Sequence, residues 1–329
     1  MAVKRLMHFA RGDTARWIGR IISVLALSAF LWLVWRTVFT LGGDILLRKH
    51  WSVVLGATAL YGVAYIPMTG AWIILVRSCG AKARNSTLAA ILLISQVGKY
   101  LPGNVAHFIG RAWASQQKNI SFKAVAAATA LELSGVLAAC SILVAMALVL
   151  AGGAPQVSYY SHWILAAAVA LSIAGTLLGG LIAFRSGVAA IKIWKPFLTA
   201  VGCYASLLAL LACVNIWLIY ALSGSWNWSL AIQVAGAFAV SWLVGFIMPG
   251  SPAGLGVREL AFFAILAGSI SEEILVISTA IFRIATISGD FLAWGAGMAV
   301  SHFSSDTTWH KDRHKIKEAP EPSSASLTV

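Results

Sequence analysis

A chain of 329 residues in which 60% of the side chains are hydrophobic and only 11% charged has a mean hydropathy of +0.84, which excludes a soluble globular protein. The formal net charge of +13 could suggest nucleic acid, but the Lys and Arg residues are spread over short loops between apolar segments. That distribution sets membrane orientation and attracts anionic lipid head groups, so no nucleic-acid partner is expected.

In chain order, residues 1–16 form a basic start, with Lys4, Arg5, Arg11 and Arg16, ahead of an apolar stretch from Trp17 to Leu41. The stretch is too long for the apolar region of a signal peptide and lacks a small-residue cleavage site, so a retained first helix is expected. A run of about 20 apolar residues crosses a hydrocarbon core of about 30 Å, and the next such run is 52–77. The region Leu88–Trp113 is apolar at both ends but interrupted by Gly-Lys-Tyr-Leu-Pro-Gly-Asn, and Pro102-Gly103 forces a helix break there. Full spans follow at 123–151, 162–184 and 197–223. Leu230–Gly268 is again interrupted, by Met-Pro-Gly-Ser-Pro-Ala-Gly-Leu-Gly, with breaks expected at Pro249, Gly250, Gly254 and Gly256. A last span is expected at 272–302, and the polar tail 304–329, with Pro320 and Pro322, is expected to be disordered and cytoplasmic.

With the N-terminus inside, Arg77, Lys82, Arg84, Lys118, Lys123, Arg185, Lys192 and Lys195 fall on the cytoplasmic side, while the loops Gly152–His162 and Ser223–Ser229 carry no Lys or Arg. The positive-inside rule is then satisfied, and both interrupted regions begin and end on one side of the membrane. The expected fold is an all-α polytopic membrane protein of about six full spans plus two re-entrant broken-helix hairpins, near 88–113 and 230–268, within a transmembrane domain 17–303. A shift of 147 positions superimposes Val97 on Val244, Gly98 on Gly245, Pro102 on Pro249, Gly103 on Gly250 and Arg111 on Arg258. With the charge-derived topology this is an inverted repeat, an architecture in which transporters hold substrate between broken helices. The membrane expected is the cytoplasmic (inner or plasma) one, crossed many times, with both termini in the cytoplasm.

A charged side chain deep in a bilayer costs about 2.5–3.5 kcal/mol, so each needs a partner or a task. The candidates are Lys99, His107, Arg111, Glu132, Arg258, Glu259, Arg283 and Asp290. Arg283 and Asp290 share a helix face, and Arg258 and Glu259 directly follow the second break. Two readings stay open: structural ion pairs within the bundle, or binding of an anionic lipid head group at Lys99, His107, Arg111, Arg258 and Arg283, with Glu132, Glu259 and Asp290 balancing charge or gating. Lys99, Arg111, Arg258 and Arg283 outnumber the three acidic groups by one, and a surplus positive charge suits a phosphate. His107 is open to a proton-shuttling or a structural reading. Gln96 and Asn104 read as polar links between helices, and Trp17, Trp51, Trp163 and Trp226 as interfacial anchors. Cys79, Cys140, Cys203 and Cys213 have no disulfide or metal-ligand spacing, no catalytic constellation is visible, and no metal or cofactor is expected.

At Lys99–Ala112 (Lys-Tyr-Leu-Pro-Gly-Asn-Val-Ala-His-Phe-Ile-Gly-Arg-Ala) and Met248–Glu259 (Met-Pro-Gly-Ser-Pro-Ala-Gly-Leu-Gly-Val-Arg-Glu), the chain resembles the transmembrane region of lysylphosphatidylglycerol synthases, also described as flippase-like membrane proteins. The resemblance covers about Leu25 to Met298 and implies functional roles for Arg111, Glu132, Pro249, Gly254, Gly256, Arg258 and Glu259. This chain departs from the family's Pro-Gly-Gly by having Ser-Pro-Ala-Gly at that point of the loop. In the bifunctional synthases this region is associated with moving aminoacylated phospholipid between leaflets, while a soluble domain performs aminoacyl transfer. Without that domain the resemblance implies a non-enzymatic translocase (flippase) or carrier of an anionic phospholipid or a polyprenyl-phosphate-linked lipid. The alternative is a non-transporting scaffold or accessory subunit of an envelope-biosynthesis enzyme. A third reading, an intramembrane lipid-modifying transferase, lacks a nucleophile or acid–base set.

Overall fold

The computed structural model describes residues 43–100, 106–150, 190–247 and 257–317, together with isolated helical positions between 170 and 185. Its elements, in chain order, are α1 (Gly43–Ser78), α2 (Asn85–Ser95), a 3-10 turn (Gln96–Tyr100), α3 (Ala106–Gln117), α4 (Phe122–Leu150), α5 (Ala190–Ser223), α6 (Trp228–Ile247), α7 (Val257–Leu266) and α8 (Glu272–Lys317). All are helical, and no strand occurs among the described residues. Five segments are long and apolar enough to cross a membrane: Trp51–Ser78, Phe122–Leu150, Ile193–Ser223, Trp228–Phe246 and Glu272–Phe303. The protein is a multi-pass integral membrane protein.

Local sequence explains most of these boundaries. α1 ends where Gly80 adopts a φ of +97°, a conformation in which a Cβ would be strained. α4 begins after Asn119, itself at φ +59°, and the Ser121 hydroxyl accepts the Ala124 N–H at 3.2 Å, capping a run rich in Ala and Leu. The buried face of α4 carries Ala124, Ala127, Ala128, Gly135 and Ala139, small residues that let neighbouring backbones approach. Pro67 lies inside α1, as membrane helices permit when their neighbours satisfy the freed backbone groups. α7 turns into α8 through Gly268, at φ +85°.

The two interrupted regions differ in arm length. α2 has 11 residues and α3 has 12, so each spans only about 16–18 Å and neither crosses alone. α6, by contrast, has 20 residues without a proline or a charge and matches a crossing by itself, whereas α7 has only 10. The break residues Pro102, Gly103, Pro249, Gly250, Gly254 and Gly256 lie outside the described residues, as does Asn104. So do the expected first span 17–41, the basic start 1–16 and the last part of the tail, 318–329; of the expected span 162–184 only isolated positions are described. α8 runs on past its membrane segment to Lys317, so helix continues into the polar residues 304–317 that composition alone reads as disordered. An existing long helix removes the nucleation cost that an isolated segment would face.

α1 packs against α5 and α8, α8 also against α2, and α4 against α5 and α6, while α7 folds back on α6. One large buried cluster, including Trp72, Leu75, Leu88, Val125, Tyr204, Leu208 and Phe238, joins these helices, and a second, smaller one joins α1, α5 and α8 around Ala57, Leu218 and Ile281. The helices thereby surround a cavity lined by apolar side chains together with a set of charged and hydroxyl-bearing ones.

Candidate functional site

All eight ionisable residues singled out within apolar segments (Lys99, His107, Arg111, Glu132, Arg258, Glu259, Arg283 and Asp290) line one cavity of about 200 Å³. Every described element except α2 contributes to its wall: the 3-10 turn presents Lys99, α3 His107 and Arg111, α4 Glu132, α7 Arg258 and Glu259, and α8 Arg283 and Asp290.

Three ion pairs cross between elements. Arg111, fully buried, donates through Nη1 to Glu132 Oε2, and its guanidinium lies over the Trp72 ring at 4.5 Å. Arg283 donates through Nε to Glu259 Oε1. Lys99 Nζ lies 2.8 Å from Asp290 Oδ1 and 2.7 Å from Oδ2. Asp290 is also fully buried, and it accepts further hydrogen bonds from the hydroxyls of Tyr61 at 3.0 Å, Tyr65 and Tyr100. In a low-dielectric interior such pairs persist only when both members are compensated, and here each carboxylate has its cation.

Arg258 is the exception. Among the described residues no carboxylate pairs with it, and its Nε is buried without a hydrogen-bond partner. Its guanidinium lies 4.9 Å from the centre of the Trp242 ring, which itself stacks on Phe246. A Cβ at Gly245 would collide with the Arg258 side chain, so the absence of a side chain there makes room for it. With three cations matched to three carboxylates, the surplus positive charge expected from the sequence resides on Arg258.

Residues lining the same cavity carry further buried polar atoms without a hydrogen-bond partner among the described residues: Gln96 Nε2, His107 Nδ1, Arg111 Nε and Nη2, Tyr204 Oη, Thr279 Oγ1 and Glu259 Oε2. Most are hydrogen-bond donors or can act as donors. Buried donors without acceptors are costly, and an acceptor-rich group in the cavity would offset that cost. Among the described residues no three His, Cys, Asp or Glu side chains come together to hold a metal ion.

The sequence located the charges but not their partners. Arg283 and Asp290 do share a face of α8, yet each pairs with a different element. Lys99, Arg111 and Arg283 are ion-paired, as the structural reading requires, while Arg258 is not. Tyr61, Tyr65, Tyr100, Tyr204, Trp242 and Thr279 escaped notice because their hydroxyls or ring nitrogens do not interrupt an apolar run. The available signal was Tyr61 and Tyr65, four residues apart and thus on one face of a membrane helix.

In comparisons with protein-family models, with curated proteins and with solved structures, nothing matches this chain.

Proposed function

We propose that this protein holds the anionic head group of a lipid in the cavity lined by these charged residues and carries it between leaflets, as a flippase or carrier for an anionic phospholipid or a polyprenyl-phosphate-linked lipid. The observation that carries the reading is Arg258, a cavity-lining cation that has no carboxylate partner among the described residues and lies over the Trp242 ring, in a cavity whose lining holds further unused donors. A phosphodiester supplies what is missing there, a negative charge and several acceptor oxygens that a guanidinium can bind through two parallel hydrogen bonds. A neutral ligand would leave the arginine uncompensated in a low-dielectric space.

The resemblance to the membrane region of lysylphosphatidylglycerol synthases supports the same class of ligand, and with it a non-enzymatic role. The distribution of Lys and Arg over the loops supports a cytoplasmic membrane with both termini on the cytoplasmic side. The short arms α2 and α3 suit a re-entrant hairpin that flanks the head group, and the short α7 folds back on the crossing α6 on the side of the second break.

The test is lipid movement in vesicles reconstituted with the full chain and a fluorescent phosphatidylglycerol. Arg258→Gln is expected to slow flipping by about tenfold or more, the worth of a charge-assisted hydrogen bond, with the melting temperature in detergent little changed. Arg258→Lys keeps the charge without the planar fork and is expected to fall between the two. Undiminished flipping by Arg258→Gln would contradict the assignment.

A further inference from the structure

The cluster around Asp290 is built more elaborately than an ion pair requires. Asp290 on α8 is fully buried and is met by Lys99 and Tyr100 from the 3-10 turn and by Tyr61 and Tyr65 from α1. Lys99 is the mobile candidate in this group: its side chain is 20% exposed against 0% for Asp290, and both line the cavity. Its ammonium is held by Asp290, by the Tyr61 hydroxyl at 3.3 Å, and by the faces of the Tyr61 and Tyr100 rings at 5.9 and 5.6 Å. A phosphate entering the cavity competes for that ammonium.

If Lys99 turns from Asp290 to the phosphate, a buried carboxylate is left without its cation. Such a charge is costly in a low-dielectric site, and the simplest compensation is a proton. The three phenols suit this change. A hydroxyl both donates and accepts, so all three can donate to a carboxylate, while one can rotate to accept from a carboxylic acid. A cage of lysines or arginines could only donate and would reject the protonated form.

We propose that Asp290 is a proton-binding site coupled to head-group binding: Lys99 passes from Asp290 to the bound phosphate, and a proton from water takes its place on an Asp290 oxygen. No bond of the lipid is broken, and one proton enters per head group bound. This rests on the anionic head-group reading above and extends it by linking binding to the proton gradient.

Other titratable or charged groups line the same cavity. On α8, Arg283 is seven residues from Asp290 and engaged with Glu259 of α7. His107 and Arg111 belong to α3, Glu132 to α4 and Arg258 to α7, and Arg111 and Glu132 are engaged with each other. His107 is the rival proton site, because an imidazole ring nitrogen can take up a proton without any exchange of ion-pair partners.

The experiment measures the affinity of the purified full chain for a fluorescent phosphatidylglycerol from about pH 5 to about pH 8, a range in which the lipid's phosphodiester keeps its charge. Because the complex holds one proton more than the free protein, affinity should rise as pH falls. The slope should approach about tenfold per pH unit between the proton affinities of Asp290 in the two states. Asp290→Asn should bind with little dependence on pH. Lys99→Gln, which leaves no ammonium to transfer, should flatten the slope as well and decides the matter if Asp290→Asn does not fold. His107→Gln should keep the slope. Binding by the unaltered protein that is independent of pH, a slope retained in Lys99→Gln, or a slope lost in His107→Gln overturns the coupling while leaving the head-group site standing. No binding of phosphatidylglycerol at any pH overturns both.

Discussion

Arg111 and Arg258 stand 147 positions apart, at matching places in the suggested repeat, and both guanidiniums lie over a tryptophan. Among the described residues only Arg111 of the two has a carboxylate partner, and the proposed function rests on that difference. Glu132→Ala should strand Arg111 as a buried, unpaired cation and destabilise the fold by about 3–5 kcal/mol. Replacing both, as Arg111→Met with Glu132→Leu, should recover most of that loss, and thermal unfolding in detergent compares the two. A double variant as unstable as the single one would mean that the ion pair itself holds the bundle together. At this scale the charged residues were legible because a membrane segment tolerates them only for cause. Their pairing was not: Lys99 and Asp290 are separated by 191 positions, and nothing local links them.

At the scale of elements, Gly98 and Gly245, which superimpose in the suggested repeat, each lie against the arm that follows the break. A Cβ at Gly98 would come 2.8 Å from the backbone nitrogen of His107, whereas at Gly245 it would meet the flexible side chain of Arg258. The consequences should differ. Gly98→Ala presses backbone on backbone and should lower the melting temperature of the whole protein. Gly245→Ala should leave folding close to normal but displace Arg258, weakening lipid binding in a direct affinity measurement. The reverse pattern would argue against the role assigned to Arg258.

The apolar runs read from the sequence correspond closely to α1, α4, α5 and the membrane part of α8, because span length and composition are set by bilayer thickness. The separate length of α6 was harder to see. Pro249 and the glycines after it dominate the pattern and draw Leu230–Gly268 together as one hairpin, although residues 228–247 alone have the length of a crossing.

For the molecule as a whole, the described residues give the cavity three ion pairs and one arginine without a carboxylate partner, while the outer helix faces carry exposed apolar side chains such as Leu55, Ile66, Val149 and Leu260. That division suits a lipid whose head group enters the bundle and whose chains stay outside it. The distribution of Lys and Arg over the loops predicts sidedness: with Lys82→Cys on the α1–α2 loop and Ser225→Cys on the α5–α6 loop, a membrane-impermeant thiol reagent applied to intact cells should label position 225 and spare position 82. The four native cysteines are replaced first in that experiment. Labelling at 82 alone would invert the topology.

The central claim is that the cavity holds an anionic lipid through Arg258, and native mass spectrometry of the gently purified protein tests it most directly. A bound species with the mass of a phosphate-bearing lipid is expected, retained by the unaltered protein and lost from a folded Arg258→Gln variant. A protein that carries no such lipid, or a variant that retains it equally, would contradict the account.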